Sequence, residues 1–145
     1  MKKKVALFLL LFVLGISVAG CDDPAALVTS VVGKIGNVTT NIGTYTIKAY
    51  ASNAPSVMVA SAVADSDGYF TILSIPEGSY IFKIEHTVLF INTVYDNLIA
   101  HDEKPLGVVQ VPKGKVTNLG RIFTTMFELN TYKVVNAVTT ISNII

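Results

Sequence analysis

The sequence is poor in the residues that cross-link a chain or ligate metals. It contains one cysteine, two histidines and no tryptophan among 145 residues. A single cysteine excludes an internal disulfide, because that bond joins two cysteines. The two histidines, His86 and His101, are too few to build a metal site by themselves. We therefore expect neither a metal nor another cofactor.

Charge is also scarce, and the positive charge is unevenly placed. Three of the eleven Lys and Arg residues stand at positions 2–4, whereas all ten acidic residues follow position 21, so the later part carries a net charge of −2. Nucleic-acid binding requires a basic patch that neutralises phosphates. No cluster of Lys and Arg follows residue 21, so we expect no nucleic-acid partner.

An uncharged apolar run, VALFLLLFVLGISVA at residues 5–19, follows the three lysines. A basic start, an apolar middle and small residues at the end form the layout of a secretory signal peptide. The run is shorter than the roughly 20 residues that a membrane-spanning helix needs, and no basic cluster follows it. The pattern predicts a cleaved signal over residues 1–20.

The end of this run, Val18-Ala19-Gly20-Cys21, resembles the lipobox of bacterial lipoprotein signals. The resemblance implies cleavage between Gly20 and Cys21 and acylation of the Cys21 sulfur. Each buried methylene contributes about 0.8 kcal/mol, so two or three acyl chains hold a protein on a membrane far more firmly than one. The membrane is therefore an expected partner through Cys21. The alternative for a lone cysteine is a small buried apolar residue.

The residue after the cysteine bears on the location. In enteric bacteria, an Asp at the position of Asp22 implies retention at the periplasmic face of the inner membrane. Other lineages do not follow this sorting rule, and for them the outer membrane or the cell surface stays open. In each case we expect an exported protein of the cell envelope. Residues 21–29 form its lipidated tether, in which Pro24 opposes early regular structure.

Beyond the tether, runs rich in Val, Ile, Thr, Tyr and Phe alternate with turn signals that contain Gly, Pro, Asn and Asp. This pattern is typical of an antiparallel β-sandwich, and the length allows one domain. The predicted strands are residues 29–35, 44–51, 57–64, 69–73, 79–86, 106–111 and 116–125. Residues 91–100 fit either another strand or a loop. Alternation predicts these inward side chains: Tyr45, Ile47, Ala49, Phe70, Ile72, Tyr80, Phe82 and Ile84.

The C-terminal tail, residues 128–145, has a different pattern. Val134, Val138, Ile141 and Ile145 recur at helical spacing, which favours a short helix packed on an end of the sandwich. The β-branched content of the tail keeps a final strand open as the alternative.

The segment at residues 64–86, ADSDGYFTILSIPEGSYIFKIEH, resembles the central signature of the carboxypeptidase regulatory-like domain family. Members have an acidic turn ending in Gly, an aromatic strand, a Leu/Ile-Pro-x-Gly corner and a Tyr-led strand. The matching residues are Asp65, Asp67, Gly68, Phe70, Ile75, Pro76, Gly78 and Tyr80. The resemblance implies an all-β, seven-stranded, transthyretin-like (prealbumin-like) sandwich over residues 30–127. Gly43-Thr44 stands where the usual member has Gly-Ala.

The family resemblance says little about activity, because such domains serve as accessories, spacers and binding modules. Nucleophilic catalysis needs a base beside the nucleophile, and no Gly-x-Ser-x-Gly elbow accompanies His86 or His101. We therefore predict a non-enzymatic module for binding or structural display, with an envelope protein or a glycan as its partner. The carbohydrate-binding alternative rests on Tyr50, Tyr69 and Tyr95 as candidate glycan contacts. Tyrosines are also common strand formers that cover sheet surface.

Two further motifs have structural alternatives. The Asp65-Ser66-Asp67-Gly68 loop lacks the further ligands of a calcium loop and fits a tight turn better than a weak cation site. Lys34 and Asn118, on the first and last predicted strands, are a candidate isopeptide pair. That bond needs a buried acid, and we expect Glu85 to be exposed.

Replacing Cys21 tests the predicted anchor, because no other residue is able to take the lipid. Cys21→Ala should leave an unacylated precursor whose signal the lipoprotein peptidase does not cut. The mass of the protein and its partition into detergent measure both effects. A variant that still matures and partitions like the wild type would show that the lipoprotein interpretation is wrong.

Overall fold

A computed structural model describes residues 28–36 and 43–142 of the chain. The predicted signal, the predicted cleavage point at Gly20 and Cys21, and most of the predicted tether lie outside these described residues. Within these two ranges, nine strands and one helix, here α1, follow in chain order: β1 Ser30–Ile35, β2 Thr44–Ala51, β3 Met58–Val63, β4 Tyr69–Leu73, β5 Gly78–Val88, β6 Ile91–Tyr95, β7 Ile99–Ala100, β8 Val108–Val111, β9 Val116–Phe123 and α1 Met126–Ser142.

The strands form two sheets. The first sheet has the order β4-β1-β9-β7, and the second has β3-β2-β5 with β8 and β6 one after the other along the remaining edge of β5. Strands β1 and β9 run parallel, whereas the other pairs are antiparallel. The described chain is therefore an all-β fold of two sheets with a C-terminal helix.

The inner faces of both sheets supply a single core, as the alternation of apolar residues predicts. Buried side chains of the first sheet include Val31, Phe70 and Ile72, and those of the second include Ile47 and Phe82. Burial of each such side chain stabilises the fold by about 1.5–3 kcal/mol. The predicted inward positions are confirmed, with Tyr45 half-buried against the core.

Two glycines, one within β1 and one directly after it, make room for large aromatic rings. A Cβ atom at Gly33 would lie 2.6 Å from Cζ of Phe70, and one at Gly36 would overlap the ring of Phe123. Because contacts this short do not occur between real carbon atoms, both positions exclude a side chain unless the rings move. Phe70 and Phe123 are buried as a result.

The strand count differs from the seven that the family resemblance implies, and the extra strands come from residues 91–100. This segment first pairs with β5 as β6 and then with β9 as β7, so it crosses from the second sheet to the first. Asp96-Asn97 interrupts it, and Leu98 then enters the core. The strand alternative is therefore confirmed for residues 91–95 and 99–100, with a short break between the two strands.

The tail forms the helix that its spacing favours, and the strand alternative is wrong. Thr125 Oγ1 accepts a hydrogen bond from Glu128 N at 3.2 Å, and Glu128 Oε2 accepts one from Thr124 N at 3.0 Å. These contacts resemble a capping box, which satisfies free amides at the start of a helix. Leu129 is fully buried against the domain. No helix within the described residues is long and apolar enough to cross a membrane.

The corner before β5 depends on Tyr80. Its hydroxyl donates a hydrogen bond of 2.8 Å to the carbonyl of Pro76, while its ring is buried, and this burial raises the pKa of the phenol. Gly78 does not have the positive φ that commonly requires glycine at a corner between strands. A Cβ atom there would lie 3.4 Å from the Tyr80 ring, which is an ordinary contact distance, so neither steric overlap nor backbone conformation requires glycine at this position.

We expect Phe70→Ala to lower the free energy of unfolding by about 3–5 kcal/mol, because the ring fills the space above Gly33 and its loss leaves a cavity. Phe90→Ala is the matched control, since Phe90 is fully exposed and its truncation should change stability by less than about 0.5 kcal/mol. Urea denaturation of the chain lacking residues 1–21 measures both. Equal effects of the two changes would contradict the proposed core.

Candidate functional site

A hollow of about 440 Å³ lies on the outer face of the first sheet, across β4, β1 and β9. Its size is within the range of ligand sites, which is about 300–1,000 Å³. The polar side chains that line it are Lys34, Tyr69, Thr71, Asn118 and Arg121. These residues come from three separate strands, so pairing of the strands creates the site.

Strand register places the charged and aromatic residues in one row. Lys34 of β1 is opposite Tyr69 of β4 on one side and opposite Arg121 of β9 on the other. Rows of this kind across a sheet bring side chains within contact distance. The row is therefore aromatic at one end and cationic at its middle and other end.

An irregularity in β9 deepens the hollow. The β1–β9 register shifts between Val32 and Lys34, and Gly120 has a φ of +67°. Asn118 Oδ1 accepts a hydrogen bond of 2.8 Å from Gly120 N, which closes the turn of the bulge. A Cβ atom at Gly120 would meet nothing within 4 Å, so the space above this residue is open. Bulges commonly redirect side chains beside functional sites.

The electrostatics of the hollow favour an anionic or strongly polar ligand. Lys34 Nζ lies 4.1 Å from the centre of the Tyr69 ring, and the Arg121 guanidinium lies 4.4 Å from the centre of the Tyr132 ring. Both cations are thus held by aromatic faces, an attraction of about 0.5–1 kcal/mol at exposed sites. Among the residues that the structure describes, no acidic side chain lines the hollow. Lys34 and Arg121 therefore present two positive charges that no carboxylate of the hollow neutralises.

The three candidate glycan contacts do not converge. Tyr69 is 54% exposed and lines the hollow. Tyr50 lies on the outer face of the second sheet, with Lys83 Nζ 5.0 Å from its ring centre. Tyr95 packs partly buried against the core. The hollow thus brings together Tyr69 alone of the three, with partners that sequence reasoning did not assign to it.

The acidic loop is a hydrogen-bonded turn. Asp65 Oδ1 accepts hydrogen bonds from Asp67 N at 3.0 Å and Tyr69 N at 2.8 Å, and Gly68 has a φ of +85°. An Asp side chain that binds the backbone two residues onward is the standard Asx turn. Among the described residues, no group of three or more His, Cys, Asp or Glu side chains is placed to hold a metal. The loop also supports the hollow, because Tyr69 follows it directly.

Both histidines contact aromatic rings. His86 stacks on Tyr45 with ring centres 4.0 Å apart, and His101 meets the Tyr132 ring edge-on at 5.8 Å. Burial, with a smaller contribution from Glu128, raises the pKa of Tyr45. Each histidine thus belongs to a packing contact at the helix end of the sandwich.

The acid required by an isopeptide bond is not supplied by Glu85. That carboxylate accepts a hydrogen bond of 2.6 Å from Lys48 on the second sheet, a contact that raises the pKa of Lys48. Lys34 and Asn118 lie on the first sheet and line the hollow instead. The sequence predicts the strands that carry these two residues, but it does not predict that the two strands pair.

No protein-family model matches this chain, and no curated protein is significantly similar to it. The geometry above therefore carries the functional argument.

We expect Asp65→Ala to lower the free energy of unfolding by about 1–2 kcal/mol, because two backbone amides lose their acceptor. Asp65→Asn is the matched control, since its amide oxygen still accepts these hydrogen bonds, and it should lose less. Thermal melting with and without millimolar calcium completes the test. Calcium should leave the melting temperature unchanged, because the carboxylate is engaged in the turn; a rise would support a cation site.

Proposed function

We propose that this chain is a lipid-anchored protein of the cell envelope, acting without catalysis as a module for binding or structural display. The hollow on the first sheet is its proposed binding surface. The row of Tyr69, Lys34 and Arg121 carries this assignment, because it combines an aromatic ring with two cations on a rigid framework. Sites built on strands hold their side chains more precisely than sites on loops.

The proposed anchor is Cys21, cleaved behind Gly20 and acylated. The tether of residues 21–29 then joins the membrane to β1. Asp22 favours the periplasmic face of the inner membrane, with the outer membrane or the cell surface as alternatives. Only the sequence pattern of the signal and lipobox supports this part of the proposal.

We also propose that the domain is a carboxypeptidase regulatory-like, transthyretin-like sandwich. The acidic turn at Asp65 and the contact between Tyr80 and Pro76 support this assignment, since both belong to the segment that resembles the family. Strands β6 and β7 and the helix α1 would then be additions to the seven-stranded plan.

A carbohydrate-binding module is the second candidate function. It is favoured by the exposed Tyr69 ring beside polar Thr71 and Asn118, since sugars bind to aromatic faces flanked by hydrogen-bonding groups. The Lys34 ammonium lies over this ring, however, and would have to move before a sugar could stack there. The first function therefore has the stronger geometric support.

A photo-crosslinking amino acid in living cells separates these candidates. We expect benzoylphenylalanine at position 69 to capture an envelope protein, because it lies in the hollow. The same residue at position 50 is the matched control, since Tyr50 lies on the other sheet. Arg121→Gln should reduce the adduct at position 69, because the hollow then loses a charge that binds the partner.

The chemistry of the adduct identifies the function. A protease-sensitive adduct supports a protein partner, and we expect no soluble glycan to bind more tightly than about 1 mM, or roughly −4 kcal/mol, in calorimetry. A polysaccharide adduct together with micromolar glycan binding that Tyr69→Ala removes would favour the second candidate. Equal adducts at positions 69 and 50 would contradict the assignment of the hollow.

A further inference from the structure

The hairpin between β5 and β6 ends in an apolar tip formed by Leu89, Phe90 and Ile91. Their exposed fractions are 86%, 101% and 71%. Single exposed apolar residues are ordinary on protein surfaces, but three consecutive ones at the end of a hairpin are not. Exposed apolar clusters of this kind mark contact with a partner or a membrane.

Backbone conformation adds a second observation. Val88 pairs with Ile91, so Leu89 and Phe90 form a two-residue connection, and Leu89 has a φ of +54°. Such connections favour Asn or Gly, which tolerate positive φ, whereas a bulky residue there is strained. A more stable and more soluble tip was therefore available to the chain. Strain of this kind, when observed, indicates a functional constraint.

The chemistry around the tip fits a lipid bilayer. Residues 87–95, TVLFINTVY, contain no Asp, Glu, Lys or Arg, so insertion of the tip buries no formal charge. The neighbouring rung is uncharged and polar, with Thr87 Oγ1 donating a hydrogen bond of 2.6 Å to Asn92 Oδ1. A convex tip with an aromatic residue and a neutral polar base suits the boundary between headgroups and acyl chains.

The position of the tip is compatible with the proposed anchor. Thr29 contacts Ile75 and Gly114, so the chain enters the sandwich at the end where β5 begins, opposite the tip. Strand β5 has 11 residues and, at about 3.4 Å per residue, is roughly 35 Å long. The nine residue-to-residue steps from Cys21 to Ser30 span at most about 32 Å. The tip therefore reaches the same bilayer when the strands lie along the membrane surface.

We propose that Leu89, Phe90 and Ile91 insert into the bilayer that holds the acyl chains, as a second contact between this protein and the membrane. The inference rests on the proposed lipid anchor. A single weak contact becomes effective when an anchor already confines the domain to the surface, because the local concentration of membrane is then high. Together, the two contacts would fix the orientation of the domain at the membrane.

Because the sequence contains no tryptophan, a single introduced tryptophan serves as a fluorescent probe of the tip. Phe90→Trp in the full, acylated chain introduces the only tryptophan, and the protein is reconstituted into vesicles of phosphatidylethanolamine and phosphatidylglycerol. Because interfacial side chains lie about 5–10 Å deep, lipids brominated on the upper acyl carbons should quench the fluorescence about twofold or more. Val63→Trp is the matched control, since Val63 is 62% exposed on β3, at the opposite edge of the same sheet. Its fluorescence should be unaffected.

Two further measurements make the outcomes distinct. Adding Leu89→Asn and Ile91→Thr to Phe90→Trp should reduce the quenching, because the tip becomes polar. Flotation with the vesicles reports the anchor separately. Chains that float without quenching at position 90 overturn the inserted tip and leave the anchor intact. A blue-shifted emission without quenching means that a protein surface or a second copy covers the tip, which also overturns the proposal. If the wild-type chain does not float, the lipid-anchored function is contradicted. The proposed insertion of the tip is then contradicted as well, because it depends on that anchor.

Discussion

Apolar packing between the two sheets is the interaction on which the rest of this structure depends, because the single cysteine allows no internal disulfide. Phe70 and Phe82 are both buried in a core to which both sheets contribute, and Gly33 leaves the room that the Phe70 ring fills. Protein cores are close-packed and tolerate neither voids nor additional volume without loss of stability. The glycine and the ring are therefore one constraint, and it fixes β1 against β4.

The position of β1 in turn determines the hollow. The same strand that presents Gly33 to the core presents Lys34 to the outside, between Tyr69 and Arg121. Because successive side chains of a strand point to opposite faces, inward packing and outward chemistry are coupled through the register. A one-residue slip of β1 would remove the cation from the row and expose apolar side chains.

The two ends of the sandwich have different tasks. At the end where the chain enters, Thr29 and the Tyr80 corner close the core with hydrogen bonds. At the other end, helix α1 packs on the domain through the fully buried Leu129. The tip of the β5–β6 hairpin at this end is apolar and exposed. An envelope protein tethered at one end would in this way gain a second membrane contact at the other.

The sequence by itself determined the local elements. The strands predicted at residues 44–51 and 69–73 match β2 and β4, because strict alternation with turn signals on both sides leaves little freedom. Helical spacing in the tail likewise indicated α1, and the acidic turn followed from Asp and Gly chemistry. These features depend on neighbours within a few residues. The signal and the lipobox are also local patterns, and they carry the proposed anchor.

Only the tertiary structure decided which elements meet. Residues 91–100 divide between the two sheets because Leu98 enters the core, and no local pattern shows this change of sheet. The pairing of Lys34 with Arg121 joins strands far apart in the chain, and parallel register between distant strands leaves no local signature. The hollow could therefore not be predicted from the sequence, because the residues that line it lie on strands whose pairing has no local pattern. Long-range packing selects one pairing among many, and that selection depends on the whole core at once.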